Sequence, residues 1–213
     1  MLKVLGRNLT IKCKPTVNAD LRQTVEAETL ELVEILAASQ SPFLEQFELR
    51  RQPCGPKKIR LSIRNGEEGS GRAPADYGNP DLRDRSPLYE TLPATRELIE
   101  SFPLEDVARI LVLVDPAGWG TPLHRDHQLP DVKQEFVWFR TSPEKQLYVI
   151  DDADVRADTL GFAAWFDSRQ RHGVEQSPHP TVSIRVDGRF KADVRENLLA
   201  SITPSLELGT KPT

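Results

Sequence analysis

The second half of the chain alternates apolar and polar positions in short runs, and clusters of turn-forming residues separate most of these runs. Alternation with a period of two is the pattern of a strand that has one buried face. Many short strands at close spacing predict an antiparallel barrel or jelly roll, whose interior and mouth suit a small ligand. We place the strands at 107–114, 119–126, 134–140, 146–150, 160–166, 171–175 and 181–188.

The first half of the chain has a mixed pattern. Apolar residues at near-helical spacing predict a helix that begins at about Asp20, as its N-cap, and ends at about Ala38. A second helix is expected at 92–102, a strand at 57–64, and one or two edge strands within 1–14. Helices therefore accompany the strands, but they do not dominate the chain.

Composition narrows the class of protein. Of the 213 residues, 38% are hydrophobic and 28% are charged, as in globular domains. A net charge of −4 gives no general attraction to nucleic acid or to anionic membranes. No apolar run approaches the ~20 residues of a membrane span, and the first residues lack the features of a signal peptide. The two cysteines form no zinc or disulfide pattern, so we expect a cytoplasmic protein without a membrane partner and without nucleic acid as a favoured partner.

The clearest candidates for chemistry follow an apolar run at 110–114 and a turn at 115–118. If a strand resumes there, His124 and Asp126 point to the same face, because side chains alternate along a strand. One imidazole nitrogen and one carboxylate oxygen can then bind one metal ion. A second histidine from another strand would complete a set that leaves open positions on iron(II) for a chelating co-substrate and for dioxygen.

A His-x-Asp pair also occurs as a surface pair or as a simple hydrogen bond between the two side chains. Further residues support the metal interpretation. His172 follows an aromatic strand, and an antiparallel barrel can return that segment beside the first one. Ser183 and Arg185 lie on a later strand and share a face. A guanidinium beside a hydroxyl suits a carboxylate, because the planar fork can pair with both oxygens.

The order His124-x-Asp126, then His172, then Arg185 resembles the iron(II)/2-oxoglutarate-dependent dioxygenases, which have a double-stranded β-helix core. The surrounding residues are most similar to the aspartyl/asparaginyl and prolyl hydroxylase branch. An Asp-Pro-Ala-Gly turn precedes the His-x-Asp pair, and an aromatic strand precedes the second histidine. The resemblance covers about residues 107–190.

The resemblance implies a site and a reaction. His124, Asp126 and His172 would bind Fe(2+), and Arg185, helped by Ser183, would bind the distal carboxylate of 2-oxoglutarate. O2 would be the other co-substrate, succinate and carbon dioxide would be products, and ascorbate would be an optional stimulant. An acid at position 126 implies hydroxylation, since family members that chlorinate have a small residue there.

The resemblance also assigns Arg140 to a strand where this branch often places another polar contact to the co-substrate. The branch tends to have an Arg-x-His-type pattern there, whereas this chain has Trp138-Phe139-Arg140. We therefore expect Arg140 to contribute to co-substrate binding, on a pattern that departs from that of the branch.

The predicted fold class is mainly β with flanking helices around a double-stranded β-helix core, of the jelly-roll or cupin-like kind. We expect a single domain over 1–213, with an N-terminal α/β region at 1–106, a catalytic core at 107–190 and a C-terminal tail at 191–213. Residues 65–87 are polar and show no periodicity, which is typical of a lid, a binding loop or a disordered segment.

The leading hypothesis is a dioxygenase that hydroxylates an amino acid, so its partner would be a small-molecule amino acid or a peptide. The oligomeric state is unknown from the sequence. A cupin-type metal enzyme that does not use 2-oxoglutarate would instead bind metal and be indifferent to Arg185→Ala. A non-catalytic barrel that binds a small molecule or a partner protein would be indifferent to His124→Ala and Asp126→Ala. His127 is the rival ligand if the strand register shifts by one residue.

Overall fold

The computed structural model describes residues 8–10, 17–46, 56–64, 79–126 and 135–196, and these residues contain more strand than helix. Two α-helices within the described residues are α1 (Ala19–Ala38) and α2 (Pro93–Glu100), and a short helical segment at 192–196 follows the last strand. The strands are β1 (Asn8–Thr10), β2 (Leu44–Gln46), β3 (Lys57–Arg60), β4 (Ser62–Arg64), β5 (Arg83–Arg85), β6 (Leu104–Asp115), β7 (Thr121–His124), β8 (Phe136–Arg140), β9 (Leu147–Ile150), β10 (Arg156–Asp158), β11 (Ala163–Phe166), β12 (Arg171–Val174) and β13 (Thr181–Phe190).

Two antiparallel sheets organise the structure. One has seven strands in the order β1-β11-β8-β13-β6-β3-β2, the other has four in the order β10-β9-β12-β7, and β4 pairs with β5. The sheets face each other, since the ring of Phe166 on β11 lies 4.8 Å from the imidazole of His172 on β12, centre to centre. Two facing antiparallel sheets with flanking helices form a jelly roll, so the predicted fold class is confirmed.

The outer face of the seven-stranded sheet is apolar and joins the helices in one core. Ile110 of β6, Ile184 of β13 and Val25 of α1 are fully buried in it. The ring of Phe102, just after α2, lies 6.1 Å from the ring of Phe139 on β8. Each such side chain stabilises the fold by about 1.5–3 kcal/mol when buried. This packing attaches the outer face of the sheet to the helices. The inner face of the sheet is left for polar side chains.

The inner face of the same sheet carries polar residues along β13. Arg185 pairs with Leu111 of β6 on one side and with Trp138 of β8 on the other, and directly opposed side chains share a face. Because side chains alternate along a strand, Ser183 and Asp187 lie on the same face as Arg185. The long strand β13 therefore presents a row of polar groups to the four-stranded sheet.

The structure corrects two boundaries in the first half of the chain. Helix α1 is capped by Asn18 and not by Asp20, because the Asn18 side chain accepts a hydrogen bond of 2.8 Å from the Leu21 N–H. The predicted strand at 57–64 is two strands that break at Leu61, since beyond this residue the chain leaves β6 and pairs with β5.

Some of the predicted segments lie only partly within the described residues. The predicted polar loop contains a 3-10 turn at Pro80–Leu82 and strand β5, and β10 is a strand that the pattern did not predict. Residues 65–78, His127 and most of the first 14 residues lie outside the described ranges. The domain boundaries stay a prediction. No helix in the described part of the chain combines the length and the apolar character needed to cross a membrane.

A buried ion pair joins the end of β6 to the loop between β8 and β9. Lys145 Nζ lies 2.8 Å from Asp115 Oδ2, and both side chains are almost completely buried. Burial lowers the pKa of Lys145. Lys145→Ala leaves the Asp115 carboxylate buried without this partner. We therefore expect the free energy of unfolding, measured in urea, to fall by about 3–5 kcal/mol.

A double variant and an exposed pair complete this test. Lys145→Met together with Asp115→Leu removes both charges and should recover most of the loss, because neither charge is then buried alone. Arg156 pairs with Asp158 and Glu175 at the surface, and Arg156→Ala should cost less than about 1 kcal/mol. Equal losses in Lys145→Ala and Arg156→Ala would show that the buried pair is not special.

Candidate metal centre

Three candidate ligand side chains meet between the two sheets. Asp126 Oδ1 lies 3.6 Å from His124 Nε2 and 3.7 Å from His172 Nε2, and the three ligand atoms all lie within 4.8 Å of one another. Atoms that bind one ion at about 2.1 Å and at right angles are about 3 Å apart. A small inward movement therefore lets all three bind one ion. Two imidazoles and one carboxylate are the donor set of iron(II) sites that keep open positions.

The pairing of β7 with β12 brings the two histidines together. His124 lies opposite His172 in the register, and the centres of their rings are 4.3 Å apart. Asp126 lies just beyond the end of β7, where its backbone N–H donates to the Ser168 carbonyl oxygen at 3.0 Å. This bond keeps the Asp126 side chain beside the four-stranded sheet, on the side of both histidines.

Two glycines allow the turn and the close approach before β7. Gly118 has a φ of +76°, which glycine adopts without strain, and its N–H donates to the Ser177 carbonyl oxygen at 2.7 Å. At Gly120 a Cβ would lie 2.6 Å from the carbonyl oxygen of Val174. A side chain at this position would push β7 away from β12 and separate the two histidines.

Backbone carbonyls fix the orientation of both imidazoles. His124 Nδ1 lies 2.8 Å from the Pro122 oxygen, and His172 Nδ1 lies 2.9 Å from the Gln170 oxygen. A carbonyl oxygen only accepts, so each Nδ1 carries a proton and donates it. In the neutral ring Nε2 then keeps its lone pair and faces Asp126. This is the arrangement that a metal-binding histidine needs.

Burial and neighbouring charges set the protonation states. Burial lowers the pKa of His172 and favours the neutral ring. Burial acts to raise the pKa of Asp126, but His124, Arg185 and His172 together outweigh it and hold that pKa well below its usual range. The Asp126 carboxylate is the main cause of the raised pKa of His124. Since metal ligands must be deprotonated, Asp126 and His172 are already in the binding form.

Arg185 lies directly behind Asp126. Its Nη1 donates to Asp126 Oδ2 at 3.1 Å, and its Nε donates to Asp187 Oδ1 at 3.1 Å. The guanidinium carbon lies 4.1 Å from the centre of the Phe136 ring. The structure thus brings Arg185 to the His–Asp–His cluster, and it adds a contact to a candidate metal ligand that the sequence did not predict.

Ser183 lies on the same face of β13, two residues before Arg185. Its side chain is fully buried, and within the described ranges its Oγ has no hydrogen-bond partner. A buried hydroxyl without a partner costs about 1–3 kcal/mol. A ligand oxygen bound at this hydroxyl would recover that cost, so the site has one polar group suited to a carboxylate.

Arg140 is not brought to the cluster, although it lies opposite Ser183 in the register. Its guanidinium turns toward neighbouring loops and donates to the carbonyl oxygens of Pro143, Lys145, Thr159 and Gly161 and to the side-chain oxygen of Gln146. A shared sheet face does not fix the direction of a long side chain at the end of a strand. The structure therefore gives Arg140 a structural position, and its expected contact with the co-substrate stays a prediction.

Arg140→Met separates these two roles. Several buried acceptors would lose their donor, and each costs about 1–3 kcal/mol, so we expect the free energy of unfolding to fall by at least about 3 kcal/mol. The affinity of the folded protein for 2-oxoglutarate, measured by calorimetry at low temperature, should stay the same. Unchanged stability with weakened 2-oxoglutarate binding would restore the role expected from the sequence.

The sequence interpretation missed two residues beside the site. Asp187 accepts from Arg185 through Oδ1 and from Arg109 Nε through Oδ2, the latter at 2.7 Å. The alternation along β13 carried a signal for Asp187, because it is two residues beyond Arg185 and shares its face. Arg109 had no such signal, since only the pairing of β6 with β13 brings it to Asp187.

Comparisons with known proteins concern the fold. No family model matches the chain, and no curated protein matches it. A prolyl-4-hydroxylase of Pseudomonas putida is 15% identical, with a TM-score of 0.45, over 87% of this chain and 92% of that one. A prolyl hydroxylase from Trichoplax adhaerens, solved with a hypoxia inducible factor oxygen degradation domain peptide fragment, is 14% identical, with a TM-score of 0.46, over 93% of this chain and 88% of that one.

A further solved structure is an oxidoreductase of the 2OG-Fe(II) oxygenase family from Burkholderia pseudomallei. It is 13% identical, with a TM-score of 0.41, over 64% of this chain and 69% of that one. Solved structures similar to this chain thus include 2OG-Fe(II) oxygenases. At these identities and TM-scores its function has to be argued from the chemistry of its own site.

Proposed function

We propose that this protein is an Fe(II)/2-oxoglutarate-dependent dioxygenase that hydroxylates an amino acid, either free or within a peptide. The observation that carries the proposal is the convergence of His124 Nε2, Asp126 Oδ1 and His172 Nε2 within 4.8 Å of one another. Iron(II), 2-oxoglutarate and dioxygen bound there supply the oxidation of a C–H bond, coupled to the release of succinate and carbon dioxide.

Asp126 would hold the metal through one oxygen. Its Oδ2 accepts a hydrogen bond from Arg185 Nη1 at 3.1 Å, while its Oδ1 faces both imidazoles. A carboxylate that is bonded on one side in this way occupies one position on the metal and not two. Together with His124 and His172 it leaves the open positions that the co-substrate and dioxygen need.

Ser183 and Arg185 would hold the distal carboxylate of 2-oxoglutarate. Burial works against the charge of Arg185, but the carboxylates of Asp187 and Asp126 outweigh it and raise its pKa. A permanent positive charge and the buried Ser183 hydroxyl therefore lie two residues apart on the inner face of β13. These two features support a carboxylate as the bound group.

The exposure of the ligands indicates where a substrate would approach. The His124 side chain is 42% exposed, whereas that of His172 is 6% exposed. Within the described part of the chain, the candidate metal site is therefore open to solvent at His124 and closed to solvent at His172. A substrate that enters past His124 meets the metal, while the seven-stranded sheet shields the opposite side from water.

The substrate class rests on the resemblance of residues 107–190 to amino-acid hydroxylases. The test is succinate formation from 2-oxoglutarate with iron(II) and ascorbate, in one pool of free amino acids and one pool of peptides. We expect succinate to rise with one pool, and a component of that pool to gain the mass of one oxygen atom. The proposal fails if neither pool gives succinate and 2-oxoglutarate does not bind the iron-loaded protein.

One observation favours a rival function, a metal enzyme that does not use 2-oxoglutarate. Arg185 already has a role at Asp126 that needs no co-substrate. Calorimetry of the metal-loaded protein with 2-oxoglutarate separates the two functions. Binding of one equivalent supports the dioxygenase, and no binding in a protein that does bind metal supports the rival.

A further inference from the structure

Behind the candidate metal ligands lies a row of side chains with alternating charges, which we call the charge row. Asp126, Arg185, Asp187 and Arg109 follow one another, with nitrogen–oxygen distances of 3.1, 3.1 and 2.7 Å. The Asp187 side chain is only 1% exposed, and both arginines beside it are largely buried. The proposed function gives Arg109 no role and gives Asp187 only the role of keeping Arg185 charged, although both are buried charges close to the metal site.

The contacts of Asp187 fix the orientation of Arg185. One carboxylate oxygen accepts from Arg185 Nε and the other from Arg109 Nε. The Phe136 ring covers the guanidinium at 4.1 Å. Arg185 is thus held at one edge by Asp187 and on one face by Phe136, and these contacts turn its Nη1 toward Asp126.

We infer that Asp187 and Arg109 are positioning residues for the metal ligand Asp126, which they orient through Arg185. The inference rests on the proposed function only in that His124, Asp126 and His172 hold a metal ion. Arg109 aligns Asp187, Asp187 aligns Arg185, and Arg185 occupies Asp126 Oδ2. The charge row keeps Asp126 bound to the metal through Oδ1 alone and preserves the open position that the second oxygen would otherwise take.

The test measures Co(II) binding by calorimetry, without 2-oxoglutarate, in the full-length protein. Residues that orient metal ligands typically contribute about 10–100-fold to metal affinity. We expect the Kd for Co(II) to rise by about 10-fold or more in Asp187→Asn and in Arg109→Met. Arg109→Lys keeps the charge and one donor, and it should recover part of the affinity.

A matched control comes from the same two strands. Arg189 of β13 pairs with Asp106 of β6 at 3.5 Å, and both side chains are exposed. Asp106→Asn and Arg189→Met change the same residue types away from the site. We expect both variants to bind Co(II) like the wild type.

The sign of the Arg109→Met effect separates positioning from simple charge. If the charge row acted only through the net charge of its side chains, loss of a positive group would tighten Co(II) binding. Positioning predicts weaker binding, because Asp187 loses the partner that aligns it. A second measurement is the visible absorption of bound Co(II), which reports its coordination number. It should change in Asp187→Asn, because Arg185 then no longer holds Asp126 in one orientation toward the metal.

Wild-type affinity or tighter binding in folded Arg109→Met overturns the inference, and if Asp187→Asn does not fold, Arg109→Met and Arg109→Lys decide. A wild type that binds no Co(II) overturns both the inference and the proposed metal site. Weakened Co(II) binding in the variants, in a protein that does not bind 2-oxoglutarate, supports the inference while the dioxygenase proposal fails.

Discussion

Asp126→Ala is expected to abolish succinate formation and to weaken Co(II) binding by at least about 100-fold. The loss should reach or exceed the about 10–100-fold typical of residues that only orient ligands, because Asp126 supplies the one negative ligand between two neutral imidazoles. The fold should survive, since Arg185 keeps its contact with the buried Asp187. Calorimetry with Co(II) and a coupled assay for succinate measure the two effects.

Two variants control this prediction. Asp126→Asn keeps the size of the side chain and one carbonyl oxygen but loses the charge, so its affinity for Co(II) should fall between those of the wild type and Asp126→Ala. Asp158→Ala removes an exposed carboxylate from β10 and should change nothing. Wild-type Co(II) affinity in Asp126→Ala would mean that the ion binds elsewhere.

Arg185→Met is expected to raise the Kd for 2-oxoglutarate by about 100-fold in protein that is saturated with metal. Loss of one partner from a buried, hydrogen-bonded charge pair costs about 2–5 kcal/mol, and about 2.7 kcal/mol corresponds to 100-fold. Methionine fills a similar volume without the charge. Because Arg185 also contacts Asp126, metal affinity should fall as well, so it has to be measured separately.

Ser183→Ala isolates the co-substrate role, because Ser183 has no described contact with a metal ligand. We expect it to weaken 2-oxoglutarate binding by about 5-fold, the value of a hydrogen bond of about 1 kcal/mol, with Co(II) affinity unchanged. The free energy of unfolding should stay equal or rise, since within the described ranges the Oγ has no partner to lose. Wild-type affinity for 2-oxoglutarate in both Ser183→Ala and Arg185→Met would place the co-substrate elsewhere.

Local patterns were enough to predict which residues share a face. The alternation along β13 placed Ser183 with Arg185, because side-chain direction is a property of each strand alone. The same alternation predicted that His124 and Asp126 share a face, although β7 ends at His124 and Asp126 is held by its hydrogen bond to Ser168. The pairing of strands with one another cannot be predicted from these local patterns. That His172 lies opposite His124, and that β13 lies between β6 and β8, depends on contacts between distant segments. Periodicity carries no information about such contacts.

The differences between the sequence expectations and the structure have the same physical origin. Arg140 shares the inner face with Ser183, but its long side chain finds carbonyl acceptors in the loops around it. Asn18 displaced Asp20 as the helix cap because both residue types accept a backbone N–H and only the three-dimensional path of the chain decides between them. Arg109 is linked to the site through Asp187, which lies on another strand, and no single stretch of sequence could reveal this contact.

A crystal structure with bound iron would show directly whether His124, Asp126 and His172 hold one metal ion. Crystals grown without oxygen in the presence of iron(II) would be measured at the iron absorption edge. We expect one anomalous peak about 2.1 Å from each of the two Nε2 atoms and from Asp126 Oδ1, and we expect this peak to be lost in Asp126→Ala. A peak at another site, or none at saturating iron, would contradict it.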